Sequence, residues 1–200
     1  LFRSDISTII FTGVISDFIN LSVMNFGDFA LSSTSHSGIN RYSGHISGVT
    51  FQYSYYFMKA YDLDEAINDL KPSQKNAVII PLLNGQAHIN KLEKAFKKEN
   101  VFGGVAHVSS NTNAPGEIKH VGKIKRLSFG PRYKGNEEIA NDFYQLCRKA
   151  DFQTILSEDI NQDIWEKWIF LATIAGATTL FQTSIDNINT KPNGKILLKI

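Results

Sequence analysis

Apolar and polar positions follow regular patterns from Lys59 onward, and there they predict alternating helices and strands. Residues 62–70 place apolar side chains at helical spacing, and residues 77–83 form a continuous apolar run typical of a strand buried on both faces. The same patterns predict two more helices, 88–98 and 136–149, and four more strands, 101–108, 117–121, 124–129 and 152–156. We expect strands 117–121 and 124–129 to pair antiparallel around Gly122-Lys123.

This alternation predicts an α/β fold with a Rossmann-like, mostly parallel sheet and flanking helices. The sheet is incomplete, because no first βαβ unit with a glycine fingerprint is recognisable: no G-x-G occurs anywhere in the chain. Residues 159–177 read as one long, mostly apolar helix, the start of an all-α C-terminal domain. We therefore divide the chain into an atypical N-terminal segment (1–58), the remainder of the Rossmann-like domain (59–157) and the first part of the helical domain (158–200).

Residues 1–58 differ in composition from the rest of the chain. Every lysine lies at or beyond Lys59, every glutamate at or beyond Glu65 and every proline at or beyond Pro72. The pattern of residues 6–19 is compatible with a strand pair. It predicts a loop at 31–48 and a strand at 51–58. Codons for residues 51–57, read one nucleotide later, can encode an aliphatic buried strand. We therefore put forward the hypothesis that residues 1–58 are partly an out-of-frame translation; a divergent N-terminus is the alternative, and the genomic DNA decides between them.

Charge and cysteine content narrow the classes of function. The 200 residues carry 21 Lys and Arg against 19 Asp and Glu, a net charge of +2, which gives no reason to expect a nucleic-acid partner. The single cysteine, Cys147, excludes an internal disulfide framework, and the five histidines lack metal-ligand spacing, so no metal is expected. No apolar run reaches the roughly 18 residues that span a bilayer. These features predict a cytoplasmic protein without a membrane partner.

Lys167 is the strongest candidate for chemistry. On the predicted helix its neighbours on the same face are Phe170, Leu171 and Ile174, a surface that would desolvate the ammonium and lower its pKa. Proximity to the helix N-terminus is expected to act in the same direction. A lysine with a lowered pKa can donate a proton near neutral pH. The alternative is that Lys167 reaches solvent or pairs with a neighbouring carboxylate.

Three further positions lie where a sheet of this type binds ligands. Asn84, in an Asn-Gly turn, follows a buried strand, and ligands of open α/β sheets bind at the carboxyl ends of strands. Lys59 follows the aromatic run and could meet a phosphate. Gly103-Gly104 interrupts a predicted strand and suggests close backbone approach. Taken singly, a plain turn explains Asn84 and a solvated loop explains Lys59.

Taken together, these pieces resemble the ketopantoate reductase (2-dehydropantoate 2-reductase) family over about residues 59–187. The resemblance rests on seven short stretches in the family's order: 59–62 (KAYD), 79–85 (IIPLLNG), 102–105 (FGGV), 115–120 (PGEIKH), 159–160 (DI), 165–167 (WEK) and 175–180 (AGATTL). The family combines an N-terminal Rossmann domain with a helical C-terminal domain, and by resemblance this chain is truncated at both ends. Two positions differ from the family: it places Asn residues one and two turns after its lysine, where this chain has Leu171 and Ala175.

The resemblance implies an activity and roles for four residues. The activity is NADPH-dependent reduction of ketopantoate, a small 2-oxo acid, to pantoate in pantothenate and coenzyme A biosynthesis. Lys167 would be the general acid, and Asn84 would contact both cofactor and substrate. Lys59 and Ala106 would lie along the cofactor.

Two alternatives stay open at this point: a reductase for another 2-oxo acid, and a non-catalytic remnant or binding module. We also expect Trp168, Phe170 and Leu171 to form an exposed apolar patch, because the helices that would cover them lie beyond Ile200. Such a patch would favour association, including a homo-oligomer, and would lower the stability of the isolated chain.

Overall fold

The structure is a computed structural model of the 200-residue chain. It describes residues 7–13, 34–36, 39–46, 49–57, 60, 63–71, 77–114 and 117–197, with side chains described for 60, 63–71, 77–109 and 119–194. The strands in these ranges are β1 Ser7–Gly13, β2 Thr34–His36, β3 Ile39–Ile46, β4 Val49–Phe57, β5 Ala77–Pro81, β6 Gly103–His107, β7 Ser110–Ala114, β8 Glu117–His120, β9 Arg126–Gly130 and β10 Gln153–Leu156. The helices are α1 Leu63–Leu70, α2 Ala87–Ala95, α3 Glu137–Cys147, α4 Ile160–Phe181, α5 Ile185–Thr190 and α6 Pro192–Leu197.

A parallel group of strands forms the centre of the fold. One sheet has the order β2-β3-β4-β1-β5, in which β1 runs parallel to both β4 and β5. A second sheet has the order β10-β9-β6. A parallel bridge between Ile79 and Val101 joins β5 to the start of β6, and the Phe102 amide donates to the Ile79 carbonyl at 2.9 Å. The predicted α/β class with a Rossmann-like sheet and a following helical segment is confirmed. The described strands form mixed sheets, since β2–β3, β3–β4, β6–β9 and β7–β8 are antiparallel pairs beside the parallel pairs of the prediction.

Strand β5 is apolar throughout because helices cover both of its faces. Val78 and Ile80 pack on one side with Phe129 and the inner face of α3. Ala77 and Ile79 pack on the other side with α1 and α2. Successive strand residues point to opposite faces, so a strand buried on both faces has no position for a polar side chain. The unbroken run that predicts a buried strand is explained by these two layers.

Three strand predictions need correction. Residues 34–36 and 39–46, expected as loop, form β2 and β3, since a Ser- and Gly-rich antiparallel pair can share a ladder that depends on backbone hydrogen bonds. β8 pairs with β7, and β9 pairs with β6, so the predicted pair of 117–121 with 124–129 does not form. Of the range 6–19, the described part is the single strand β1, which lies between two parallel neighbours.

The C-terminal part of the described chain is helical, and α4 extends one turn beyond the predicted end at residue 177. Its first turn is capped by the Asp159 carboxylate, which accepts from the Gln162 amide at 3.1 Å. It ends at Gln182, which adopts a left-handed conformation with φ of 49°. Within the described ranges, no helix has both the length and the hydropathy needed to cross a bilayer.

Helix α4 lies directly on β6 because Gly103 has no side chain. Ile160 and Ile164 of α4 are buried there with Ile89 and Val105. A Cβ atom at Gly103 would lie 2.5 Å from Ile160 Cγ1 and 2.9 Å from Ile164 Cδ1, closer than such atoms can approach. The close backbone approach expected from the Gly103-Gly104 pair is therefore observed.

We predict that Gly103→Ala destabilises the chain by about 1–3 kcal/mol, because the new methyl group pushes α4 away from β6. Gly176→Ala is the matched control, since a Cβ atom there meets nothing within 4 Å and alanine favours a helix. Urea unfolding followed by circular dichroism measures both variants. Equal stability of Gly103→Ala and the wild type would show that α4 does not contact β6 in this way.

Candidate active site

The carboxyl ends of β5 and β6 lie at the same edge of the sheet, because these strands run parallel through the Ile79–Val101 bridge. Asn84 and Gly85 follow β5 there, and Gly85 has a φ of 81°, a conformation that favours glycine. Ala106 lies near the end of β6. Ligands of open α/β sheets bind at this edge. The polar groups at these two strand ends are therefore positioned to face one ligand.

Helix α4 carries Lys167 to this edge. Ile160, Ile164, Lys167 and Leu171 follow one another at four, three and four residues, so they share one helix face. The two isoleucines are buried against the sheet, and the same face continues beyond them over the strand ends. There the Lys167 ammonium donates a hydrogen bond of 2.7 Å to the Ala106 carbonyl oxygen.

The first turn of α4 is further held by Arg132. Its Nε donates to Asn161 Oδ1 at 2.7 Å, and its Nη1 forms an ion pair with Glu93 of α2. The Arg132 and Glu93 side chains are mostly buried, so this pair is less screened by solvent than a surface pair would be. These contacts fix the start of the helix and, through its rigid backbone, the place of Lys167.

Burial lowers the pKa of Lys167 to about 8. The cause is desolvation of the ammonium, as expected from its apolar helix neighbours. The expected contribution of the helix N-terminus is wrong, because Lys167 lies two turns from the start of α4 and the dipole acts within the first turn. Lys167 does not pair with Glu166 in the structure. The Glu166 carboxylate instead accepts a 3.0 Å hydrogen bond from Gln162 Nε2.

His107 adds a second titratable group to the site. It lies opposite Arg126 across the antiparallel β6–β9 ladder, and its Nδ1 accepts a 3.4 Å hydrogen bond from Arg126 Nε. Desolvation lowers the pKa of His107 to about 4, and the nearby Arg126 and Lys167 cations act in the same direction, while Asp163 opposes them. The imidazole is therefore neutral at physiological pH.

Asn84, Ala106 and Lys167 line one cleft of about 270 Å³, so the structure brings together three of the four predicted site residues. The fourth, Lys59, lies outside the described residues. The remaining lining residues are Leu82, His107, Val108, Ser109, Ile124, Phe170 and Leu171. In the described part of the chain, His, Cys, Asp and Glu side chains form no group of three suited to hold a metal ion.

The cleft has mostly apolar walls and a small number of polar groups. Its walls combine the apolar side chains of Leu82, Val108 and Leu171 with the amide of Asn84 and the ammonium of Lys167. Mostly apolar walls with few convergent polar groups are usual for cofactor pockets. The residues present thus fit the nicotinamide end of a dinucleotide.

Sequence reasoning missed three side chains of the site: Arg126 and Arg132, which lie outside the lining of the cleft, and His107, which lines it. His107 lies near the end of the predicted strand 101–108 and is the last residue of β6, and this position at a strand's carboxyl end is the signal that could have found it. No local signal identifies Arg126 or Arg132, because their partners lie 19 to 39 residues away in the chain.

The predicted apolar patch is present on α4 in part. Trp168 is 43% exposed and Phe170 60% exposed, together with Trp165, Ile169 and Leu180 of the same helix. Leu171, expected in the patch, is instead half-buried and lines the cleft. The reason is its helix face, which it shares with Ile164 and Lys167 rather than with the exposed aromatic residues.

Curated proteins of known sequence resemble this chain over part of their length. The uncharacterized oxidoreductase YkpB of Bacillus subtilis is 38% identical over 131 residues, which is 65% of this chain and 43% of that protein. The 2-dehydropantoate 2-reductase of Lactococcus lactis is 27% identical over 146 residues, which is 72% of this chain and 46% of that protein. The chain thus spans less than half the length of these relatives.

Solved structures share the fold. The 2-dehydropantoate 2-reductase of Geobacter metallireducens matches with a TM-score of 0.69 at 17% identity, over 95% of this chain and 71% of that one. A ternary structure of D-mandelate dehydrogenase with NADH and anilino(oxo)acetate also has a TM-score of 0.69 at 17% identity, over 96% of this chain and 70% of that one.

A family model, that of ketopantoate reductase PanE/ApbA, matches residues 34–133. The match begins 25 residues before Lys59, so the resemblance extends into the compositionally atypical segment. It covers half of the chain and includes β5, β6 and Asn84. Together with the relatives and the shared fold, this match shows that the chain belongs to the ketopantoate reductase PanE/ApbA family.

Proposed function

We propose that this chain serves an NADPH-dependent reductase that converts ketopantoate to pantoate, with Lys167 as the general acid. The observation that carries the proposal is the half-buried Lys167 ammonium at the carboxyl edge of the sheet, which donates to the Ala106 carbonyl in the cleft that Asn84 also lines. Family membership supports an oxidoreductase. The choice of NADPH over NADH and of ketopantoate over other 2-oxo acids is part of the proposal.

Reduction of a ketone needs a proton for the oxygen as the carbon receives a hydride. Bound reduced nicotinamide supplies that hydride. Lys167 Nζ donates the proton, so the carbonyl oxygen becomes a hydroxyl group, and the neutral amine regains a proton from solvent. A pKa of about 8 suits this role, because the ammonium is mostly protonated at pH 7 yet releases its proton more readily than an ordinary lysine.

The other site residues orient the reactants. The Ala106 carbonyl holds Lys167 Nζ in place through the 2.7 Å hydrogen bond. The Asn84 side chain, at the end of β5, would contact both cofactor and substrate. Ala106 and Lys59 would lie along the cofactor, by the family resemblance. The apolar walls exclude water and strengthen the interaction of the ammonium with developing negative charge on the oxygen.

A second candidate is a reductase for a 2-oxo acid with an apolar side chain. The observation that favours it is the pair Phe170 and Leu171 in the cleft wall, together with Ile124. Leu171 stands where the family has an asparagine, and it offers no hydrogen bond to the hydroxyl group of ketopantoate. D-mandelate dehydrogenase, bound to anilino(oxo)acetate, is a fold relative whose name and ligand indicate such chemistry.

Substitution Lys167→Ala tests the general acid. We expect turnover of ketopantoate to fall about 10²- to 10⁴-fold, while NADPH affinity measured by calorimetry changes little. Lys91→Ala, which removes an exposed ion pair with Asp64, is the control and should retain wild-type turnover. Wild-type turnover in Lys167→Ala would refute the role of Lys167. Failure of the wild type to bind millimolar NADPH would favour the non-catalytic alternative.

The pH dependence of kcat/KM provides an independent prediction. The active form of Lys167 is the protonated one, so kcat/KM should fall as the pH rises through about 8. A lysine with its ordinary pKa would keep its proton to about pH 10. Steady-state rates between pH 6 and 10, at saturating NADPH, distinguish the two. A profile that stays level to pH 10 would contradict the assigned proton donor.

The two substrate candidates are separated by the wild-type ratio of kcat/KM for ketopantoate to that for phenylglyoxylate, and Leu171→Asn tests whether Leu171 determines it. We expect the ratio of kcat/KM for ketopantoate to that for phenylglyoxylate to rise about tenfold, because the amide supplies a hydrogen bond to the hydroxyl group. Leu180→Asn introduces the same change on the same helix at a position 73% exposed, and it should leave the ratio unchanged. An unchanged ratio in Leu171→Asn would show that Leu171 does not face the substrate side chain.

A further inference from the structure

We propose that His107 is the residue that selects for a carboxylate on the substrate, with Arg126 fixing the tautomer that makes this possible. The inference rests on the proposed function, since it concerns how the same cleft receives a 2-oxo acid. It assigns a role to a side chain that the general-acid chemistry of Lys167 does not use.

Arg126 determines which ring nitrogen carries the proton. A guanidinium group has only donors, so its 3.4 Å hydrogen bond requires an unprotonated His107 Nδ1. The neutral imidazole must then carry its proton on Nε2. Because the ring lines the cleft while Nδ1 is engaged with Arg126, the Nε2–H group is the polar atom that His107 offers to a ligand.

The charges around the ring keep it in this state. Arg126 faces it from β9 and Lys167 from α4, and both oppose a second proton on the ring; Asp163 of α4 acts against them. Burial adds to the effect of the two cations and lowers the pKa of His107 to about 4. His107 is therefore a neutral donor over the pH range in which Lys167 is protonated.

The distribution of polar groups in the cleft fits a 2-oxo acid. None of the lining residues is Asp or Glu, so the lining itself places no anion beside a carboxylate. In the proposed reaction Lys167 is engaged with the ketone oxygen and Asn84 contacts both cofactor and substrate. The side-chain donors of the lining that have no role yet are the His107 Nε2–H and the neighbouring Ser109 hydroxyl, and these are available to the carboxylate. Donors in a site with apolar walls bind an anion more strongly than they do in water.

The test compares two variants on two substrates. In His107→Leu, KM for the 2-oxo acid ketopantoate should rise about 10- to 100-fold with kcat much less affected, because the hydrogen bond to a charged group is lost. In His107→Gln, whose amide can donate near the position of Nε2, KM should stay within about threefold of the wild type. The methyl ester of the same 2-oxo acid has no carboxylate charge, and its KM should be similar in all three proteins.

Equal loss of activity on acid and ester in His107→Leu, or an unchanged KM for the acid, would overturn the role of His107 while leaving the proposed reaction intact. A measurement that does not depend on turnover covers the case in which the proposed reaction does not occur. In ¹⁵N-labelled wild-type chain with NADP⁺, the ring nitrogen resonances of His107 should show the Nε2–H tautomer, and the Nε2 signal should shift on addition of the 2-oxo acid. A shift without turnover would retain the role of His107 and reject the reaction; no shift would reject the role of His107.

Discussion

The contact between helix α4 and strand β6 is the constraint on which the site depends. Gly103 leaves room for Ile160 and Ile164 to lie directly on the strand, and the helix then continues over the strand's carboxyl end. Because a helix is rigid over two turns, this contact determines where Lys167 lies. The Ala106 carbonyl, three residues after Gly103 on the same strand, is the group that receives its ammonium. One strand thus provides both the contact surface for the helix and the partner of the catalytic candidate.

The electrostatics of the cleft follow from this packing. Burial of Lys167 at the contact of α4 with the end of β6 lowers the pKa of its ammonium. The same ammonium lies near His107 and helps to lower the pKa of the imidazole. The two groups therefore differ in charge at neutral pH, and the roles proposed for them, a charged proton donor and a neutral hydrogen-bond donor, are based on that difference. Arg126 contributes through the β6–β9 ladder, so the chemistry of the cleft depends on a strand that does not line it.

Local pattern was sufficient for several elements beyond Lys59, insufficient for β2 and β3, and insufficient for the pairing of strands. The periodicity of 62–70 and the apolar run at 77–83 predict α1 and β5, because each pattern reflects burial of that element alone. Pairing of β9 with β6 joins residues 19 to 27 positions apart in the chain, and the pattern within either segment does not specify it. The helical spacing of Lys167 predicts its desolvated face, whereas its bond to Ala106, 61 residues earlier, requires the tertiary contact at Gly103. The sequence pattern places His107 near a strand's carboxyl end, but its partner Arg126 is defined by strand register, which the pattern does not show.

In the proposed function, the edge formed by β5, β6 and α4 supports hydride transfer to a ketone, and Lys167 supplies the proton. Transfer of deuterium tests it most directly. NADPH carrying deuterium at the transferable C4 position is incubated with the full chain and ketopantoate or phenylglyoxylate, and the product is analysed by mass spectrometry. We expect a 2-hydroxy acid with one deuterium on the former carbonyl carbon. Absence of labelled product with both substrates, at concentrations where NADPH is bound, would contradict it.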